Sequence, residues 1–248
     1  MTNLYGIIIS IAIFTSVKTA ERIIEKSEEE TLWGLSLWAI ISGIIGARLY
    51  HVLDYLDFYL KNPVKIFYIW DGGLGILGAI AGGAVGIAIY LKINGKKVLP
   101  WLDVVSVVMP LGQSIGRWGN FFNKEIFGKP TALPWGIYIS PNKRPPGFLQ
   151  NEKFHPLFIY ESIFNLILFI FLYKTYRKKH NELKSGVFTS LYLIGYSVIR
   201  FSLEFLRIDP WAIKLSSNLT LNVAQTISIL LIILSLTFIF FTSKGNKK

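Results

Sequence analysis

The chain alternates long apolar runs with short polar interruptions, and the runs are long enough to cross a bilayer. Seven stand out: Leu4 to Val17, Leu32 to Leu53, Leu74 to Leu91, Val98 to Ile115, Pro156 to Tyr176, Gly186 to Leu206 and Leu219 to Phe241. A helix needs about 20 mostly apolar residues to span the hydrocarbon core, because lipid satisfies no backbone amide. The pattern predicts an all-α integral membrane protein of seven transmembrane helices. No internal repeat or long linker divides it, so residues 1–248 are expected to form a single polytopic domain. The longest polar interval, 120–155, holds Pro130, Pro134, Pro141, Pro145 and Pro146, which disfavour a long helix. It is expected to be an irregular loop between helices four and five, either a plain surface loop or a lid that shapes a site. The first run is not expected to be a cleaved signal peptide, because its amino end lacks lysine and arginine and no small-residue cleavage site precedes Glu21 to Glu30.

Composition agrees: 52% of the 248 residues are hydrophobic and only 17% are charged. The net charge of +11 is explained by where the bases fall. Lys18, Arg22, Lys92, Lys97, Lys174, Lys178 and Lys244 follow the odd-numbered runs, and the amino terminus carries none. The positive-inside rule then predicts an outer amino terminus, a cytoplasmic carboxyl terminus and an extracytoplasmic 120–155 loop. The basic excess thus reports topology and membrane lipids, and no nucleic-acid partner is expected. With no cysteine and three scattered histidines, disulfides and thiolate chemistry are excluded, and neither a metal nor a cofactor is expected.

Polar chemistry gathers where apolar runs end. Gly116 to Gly128 sets Arg117, Asn120, Asn123, Lys124 and Glu125 among glycines. Arginine presents a planar fork suited to phosphate oxygens, and asparagine adds neutral donors and acceptors. The sixth run ends with Arg200, Glu204 and Arg207, whose spacing shares one helical face. Such a stripe near lipid must look into the bundle or into a watery cavity; it is either a satisfied Arg200–Glu204 pair or, with Arg117, a clamp on a phosphate. His155-Pro156 opens the fifth run, and Tyr160-Glu161 follows one turn later. Glu161 needs a partner there, with Arg117 and Arg48 as candidates, and a structural role outweighs a catalytic one. Arg48 is raised above an ordinary interfacial group by its span-like surroundings, whereas Asp71, at the mouth of the third run, is not. The glycines of 72–86 suit close helix packing better than phosphate binding.

These residues resemble the bacterial phosphatidylglycerol–prolipoprotein diacylglyceryl transferases. The resemblance rests on Gly116-Arg117-x-Gly119-Asn120-Phe121-x-Asn123-x-Glu125-x-x-Gly128, on His155-Pro156 with Tyr160-Glu161, and on Gly195-Tyr196 with Arg200, Glu204 and Arg207. Trp70-Asp71-Gly72-Gly73-Leu74, Gly46-Ala47-Arg48 and Tyr5-Gly6 match as well. It implies an enzyme of the bacterial cytoplasmic membrane, with its active site toward the extracytoplasmic face. That enzyme moves the diacylglyceryl group of phosphatidylglycerol to the lipobox cysteine thiol of a preprolipoprotein and releases glycerol phosphate. It implies Arg117, Arg200, Glu204 and Tyr5 as catalytic residues. Arg117, Asn120, Asn123, Glu125, Gly128, Arg200 and Arg207 would bind phosphatidylglycerol, with Arg48, Asp71, His155, Tyr160 and Glu161 in support. Leu77 stands where many members carry a histidine, so a base is sought at Tyr5, Tyr50, His51 or His155, or the thiolate forms without one. The alternative is a non-catalytic lipid-binding or scaffold protein on the same fold.

Overall fold

The computed structural model describes residues 2–123, 125–214 and 220–244. Leu219, where the last run was expected to begin, and Lys124 of the glycine-bounded motif lie outside them. Among the described residues eight α-helices form: α1 (Thr2–Ala20), α2 (Glu29–Asp54), α3 (Leu56–Lys61), α4 (Ile76–Ile93), α5 (Val98–Asn123), α6 (Leu157–Lys179), α7 (Val187–Glu204) and α8 (Val223–Lys244). Two short antiparallel hairpins accompany them, β1 (Ile137–Tyr138) with β2 (Lys153–Phe154) and β3 (Ala212–Lys214) with β4 (Thr220–Asn222).

Six of the helices are long and apolar enough to cross a membrane: α1, α2, α4, α5, α6 and α8. Their outward faces are rows of leucine, isoleucine and phenylalanine, such as Ile7, Ile11 and Phe14 on α1 and Ile163, Ile167 and Ile170 on α6. Such faces are stable only against lipid or a further protein surface. The sixth expected run, Gly186 to Leu206, does form a helix, but α7 is not among the six. Arg200 and Glu204, with Thr189, Ser190, Gly195, Ser197 and Ser202, lower its apolarity. It is held by neighbours rather than by hydrophobicity, packing against α6 and α8.

The chain divides into two compact units. One comprises Ile24–Trp101 and is built on α2 and α4. These two helices touch through small residues: a side chain at Gly46 would overlap the Gly78 carbonyl, and one at Gly82 would overlap the Ser42 carbonyl. Without a hydrophobic drive between helices in lipid, such close backbone approach supplies the packing energy.

The other unit comprises α1 and everything from Leu102 onward. Asp103 of α5 fixes its architecture at one end, accepting hydrogen bonds from the backbone N–H of Gly186 (2.6 Å), from that of Thr189 (2.7 Å) and from the Thr189 hydroxyl (2.8 Å). A helix start leaves its first N–H groups unpaired, and a carboxylate from a neighbouring helix satisfies those of α7. At the other end of the unit the chain beyond α5 is knitted to α6 and α7. Gly128 donates to the His155 carbonyl (2.8 Å), and Lys129 donates to the Leu206 carbonyl (2.8 Å). Gly128 also bridges to Arg207, and Pro130 to Phe154. The proline-rich interval is thus an irregular loop with an ordered base, carrying the β1–β2 hairpin and one 3-10 turn at Pro141–Lys143.

Candidate functional site

The glycine-bounded motif is helical for most of its length, because α5 continues to Asn123. Its glycines serve helix contact: α1 lies along α5, with Ile9 near Gly116 and the Tyr5 ring directly over Gly119. Tyr5 is thereby seated on α5 at Gly119. The room these glycines leave is taken up by a second helix.

Arg117, near the carboxyl end of α5, meets Glu161, in the second turn of α6, through its Nε. The other Glu161 oxygen faces Nη1 of Arg200 on α7 at 3.8 Å. Arg200 binds Glu204 one turn on at 2.6 Å, and the same Glu204 oxygen lies 3.8 Å from Nε of Arg207. Both carboxylates are buried, with side-chain exposures of 5% and 0%, while Arg117, Arg200 and Arg207 retain 26%, 22% and 32%. Each cation therefore keeps part of its fork open while each anion is enclosed. Three guanidinium groups against two carboxylates leave one net positive charge. Asn120 is buried beside Arg117, its Oδ1 accepting from Nη1 at 3.4 Å. The Tyr196 side chain, one turn before Arg200, stands near Arg117, Glu161 and Arg200.

The other expected site residues fall outside this cluster. Glu125 is exposed and is tied to Asn120 only through its backbone N–H, which donates to the Asn120 carbonyl (2.9 Å). The Asn123 carbonyl accepts from Lys143 Nζ at 3.0 Å. Gly128 works through its backbone, in the knot described above. His155 Nδ1 lies 3.2 Å from the Tyr160 hydroxyl, which accepts from Trp135 Nε1 at 2.8 Å. This chain pins the 120–155 loop to the start of α6. Ile126 turns the chain just past Glu125 with φ 54°, a left-handed conformation that a β-branched residue rarely adopts.

Arg48 belongs to the α2–α4 unit and is consumed there. It donates to the carbonyls of Ile66 (2.8 Å), Gly72 (2.8 Å), Gly73 (3.0 Å) and Lys65 (2.5 Å), and its guanidinium stands over the Tyr59 ring. It is a clamp on the 65–73 turn, with few donors left for a ligand. His51 packs beside Gly73 and against Tyr55 and Tyr59. Asp71 is exposed in the same turn.

Two residues escaped the site list drawn from sequence. Tyr196 appears there only within a motif, although its spacing of four from Arg200 would have placed it on the charged face. Asp103 lies within the fourth apolar run; its burial and its role at α7 carry no local signal.

Helices of membrane-spanning length define a multi-pass membrane protein, and its larger unit holds between α5, α6 and α7 an arginine–carboxylate cluster with one net positive charge. The prolipoprotein diacylglyceryl transferase model matches residues 2–241, nearly the whole chain. The chain belongs to that family and is a transferase. The phosphatidylglycerol–prolipoprotein diacylglyceryl transferase of Fervidobacterium nodosum is 43% identical over 213 residues, covering 85% of this chain and 70% of that protein. Those of Synechococcus elongatus and Thermosynechococcus vestitus are each 38% identical, covering 95% and 93% of this chain and 83% and 84% of their own lengths.

Proposed function

We infer that this chain, acting as one polytopic domain, transfers the diacylglyceryl group of phosphatidylglycerol to the lipobox cysteine of a prolipoprotein. The substrate sulfur bonds to the glyceryl carbon, the carbon–oxygen bond to phosphate breaks, the thiol proton is lost and glycerol phosphate leaves. The observation that carries this reading is the unmatched positive charge of the Arg117–Glu161–Arg200–Glu204–Arg207 cluster. A phosphodiester carries one negative charge and neutralises the surplus. As the carbon–oxygen bond breaks, a second charge builds on the leaving phosphate. Guanidinium groups already oriented by buried carboxylates stabilise that charge without reorganising, which lowers the barrier rather than only tightening binding.

In this reading Arg117 and Arg200 hold the phosphate, Glu161 and Glu204 aim them, and Arg207 adds field. Asn120 offers its amide to the headgroup, and Tyr5 borders the site from α1. Asn123, Glu125, Gly128, His155 and Tyr160 shape the loop over it, while Arg48 and Asp71 serve the turn before α4. Seven helices cross the bacterial cytoplasmic membrane, α7 included, with the amino terminus outside, the carboxyl terminus in the cytoplasm and the site toward the outer leaflet. Lysine and arginine asymmetry supports that orientation.

The test is transfer of labelled diacylglyceryl from phosphatidylglycerol to a lipobox peptide by the purified protein. Label in the peptide, lost when its cysteine is replaced by serine, is the expected result. Lipid binding without transfer would favour the scaffold reading.

A further inference from the structure

One helical turn from the charged cluster, deeper in the bundle, each of three helices carries a neutral polar residue. Gln113 lies four residues before Arg117 on α5, Asn165 four after Glu161 on α6, and Ser197 three before Arg200 on α7. Asn165 and Ser197 are 0% and 1% exposed. Both polar atoms of the Asn165 amide, the Ser197 hydroxyl and Gln113 Oε1 are buried with no hydrogen-bond partner. Their neighbours are paired: Gln113 Nε2 donates to the Tyr192 hydroxyl at 2.9 Å, and Ser162 donates to the Ser114 carbonyl at 2.9 Å. An orphaned buried donor or acceptor costs about 1–3 kcal/mol, so several at one level of α5, α6 and α7 call for polar partners that these helices do not supply.

We propose that Gln113, Asn165 and Ser197 form a subsite for the terminal hydroxyls of the glycerol headgroup, next to the phosphate clamp. This rests on the phosphatidylglycerol reading and deepens it. Four residues at 1.5 Å each set the layer about 6 Å from the guanidinium groups, a separation that a short polyol attached to the phosphate spans. A vicinal diol both donates and accepts, and an amide with a free oxygen and a free N–H complements it. A hydroxyl supplies the third partner. An ammonium headgroup only donates, and the net positive charge next door repels it. The layer therefore selects a diol headgroup over an amine by charge, and over an alkyl headgroup by hydrogen bonding.

The experiment compares two donors, phosphatidylglycerol and phosphatidylpropanol, which keeps the phosphodiester and chain length but lacks the diol. Wild type is expected to favour the diol donor in kcat/KM by tenfold or more, since a site built to hydrogen-bond a hydroxyl rejects the analogue without it. Asn165→Leu should cost about tenfold with phosphatidylglycerol, the worth of a lost hydrogen bond, and clearly less with phosphatidylpropanol, so that the ratio of the two kcat/KM values falls. Ser197→Ala, which removes one atom and spares the fold, should narrow the preference in the same sense. Equal losses with both donors would assign the layer a structural role and overturn the proposal. No preference in wild type, or none lost in either variant, would mean the orphans hold only water and would overturn it too. Wild type inactive with both donors would sink the transferase reading itself, and the subsite with it.

Discussion

Arg117 enters the cluster through its Nε edge, leaving the end of its fork beside Asn120. This geometry distinguishes arginine from lysine. A lysine keeps the charge but has no second edge for Glu161, so it cannot be aimed and bind phosphate bidentately together. Arg117→Lys and Arg200→Lys should each lower turnover on the order of a hundredfold, the scale of losing one oriented oxyanion donor, with thermal stability near wild type. Near-normal turnover in both lysine variants would rule out the clamp. The same scale bears on the thiol proton, since Leu77 leaves no base on α4 at that position. Of the two candidate histidines, His155 is engaged by Tyr160 and His51 is packed among rings beside Gly73. Turnover should therefore rise with pH as the substrate thiol ionises, near its ordinary pKa of about 8.5. The profile should keep its shape in His51→Gln and His155→Gln. A rising limb that vanishes in either variant would make that histidine the base.

At the scale of elements, α7 depends on its neighbours. It carries the charged stripe, falls outside the helices apolar enough to span alone, and starts at Gly186 in a left-handed conformation, φ 94°. Asp103 satisfies the N–H groups exposed there. Asp103→Ala leaves those donors buried and unpaired, at a cost of about 1–3 kcal/mol, and should lower the melting temperature of the detergent-solubilised protein by several degrees. Asp103→Asn keeps an acceptor and should cost less. Because Asp103 and Arg200 sit toward opposite ends of α7, loss of Asp103 should also loosen the clamp, seen as a larger drop in kcat than in lipid affinity. A melting temperature unchanged by Asp103→Ala would show that α7 is held by packing alone.

For the whole molecule, orientation decides whether the arginine cluster meets the outer leaflet. Reporter fusions after Lys97 and Lys179 should read cytoplasmic, and one near Asn142 external. The reverse pattern would put the cluster on the cytoplasmic side and remove the lipid-donor reading. The two compact units bear on this, since each contributes membrane-length helices with outward apolar faces.

What the sequence by itself determined is local in origin. Apolar run length marked the helices, because lipid satisfies no backbone group, and the residue types at Arg117, Glu161, Arg200 and Glu204 pointed to charged groups facing inward, because charge near a bilayer core must turn from lipid. Family motifs named the chemistry. Only the tertiary structure decided who pairs with whom. Arg48 and Arg117 were equal candidates for Glu161 in sequence; the fold placed Arg117 and Arg200 on it and bound Arg48 to the backbone of the 65–73 turn. Gly116 and Gly119 are the seat of α1, a contact that no local pattern announces. Asp103 and the unpaired Asn165 gave no signal at all, since each depends on helices far away in the chain. Hydropathy and spacing act along one dimension, whereas ion pairs, caps and orphaned amides are properties of neighbours that only packing supplies.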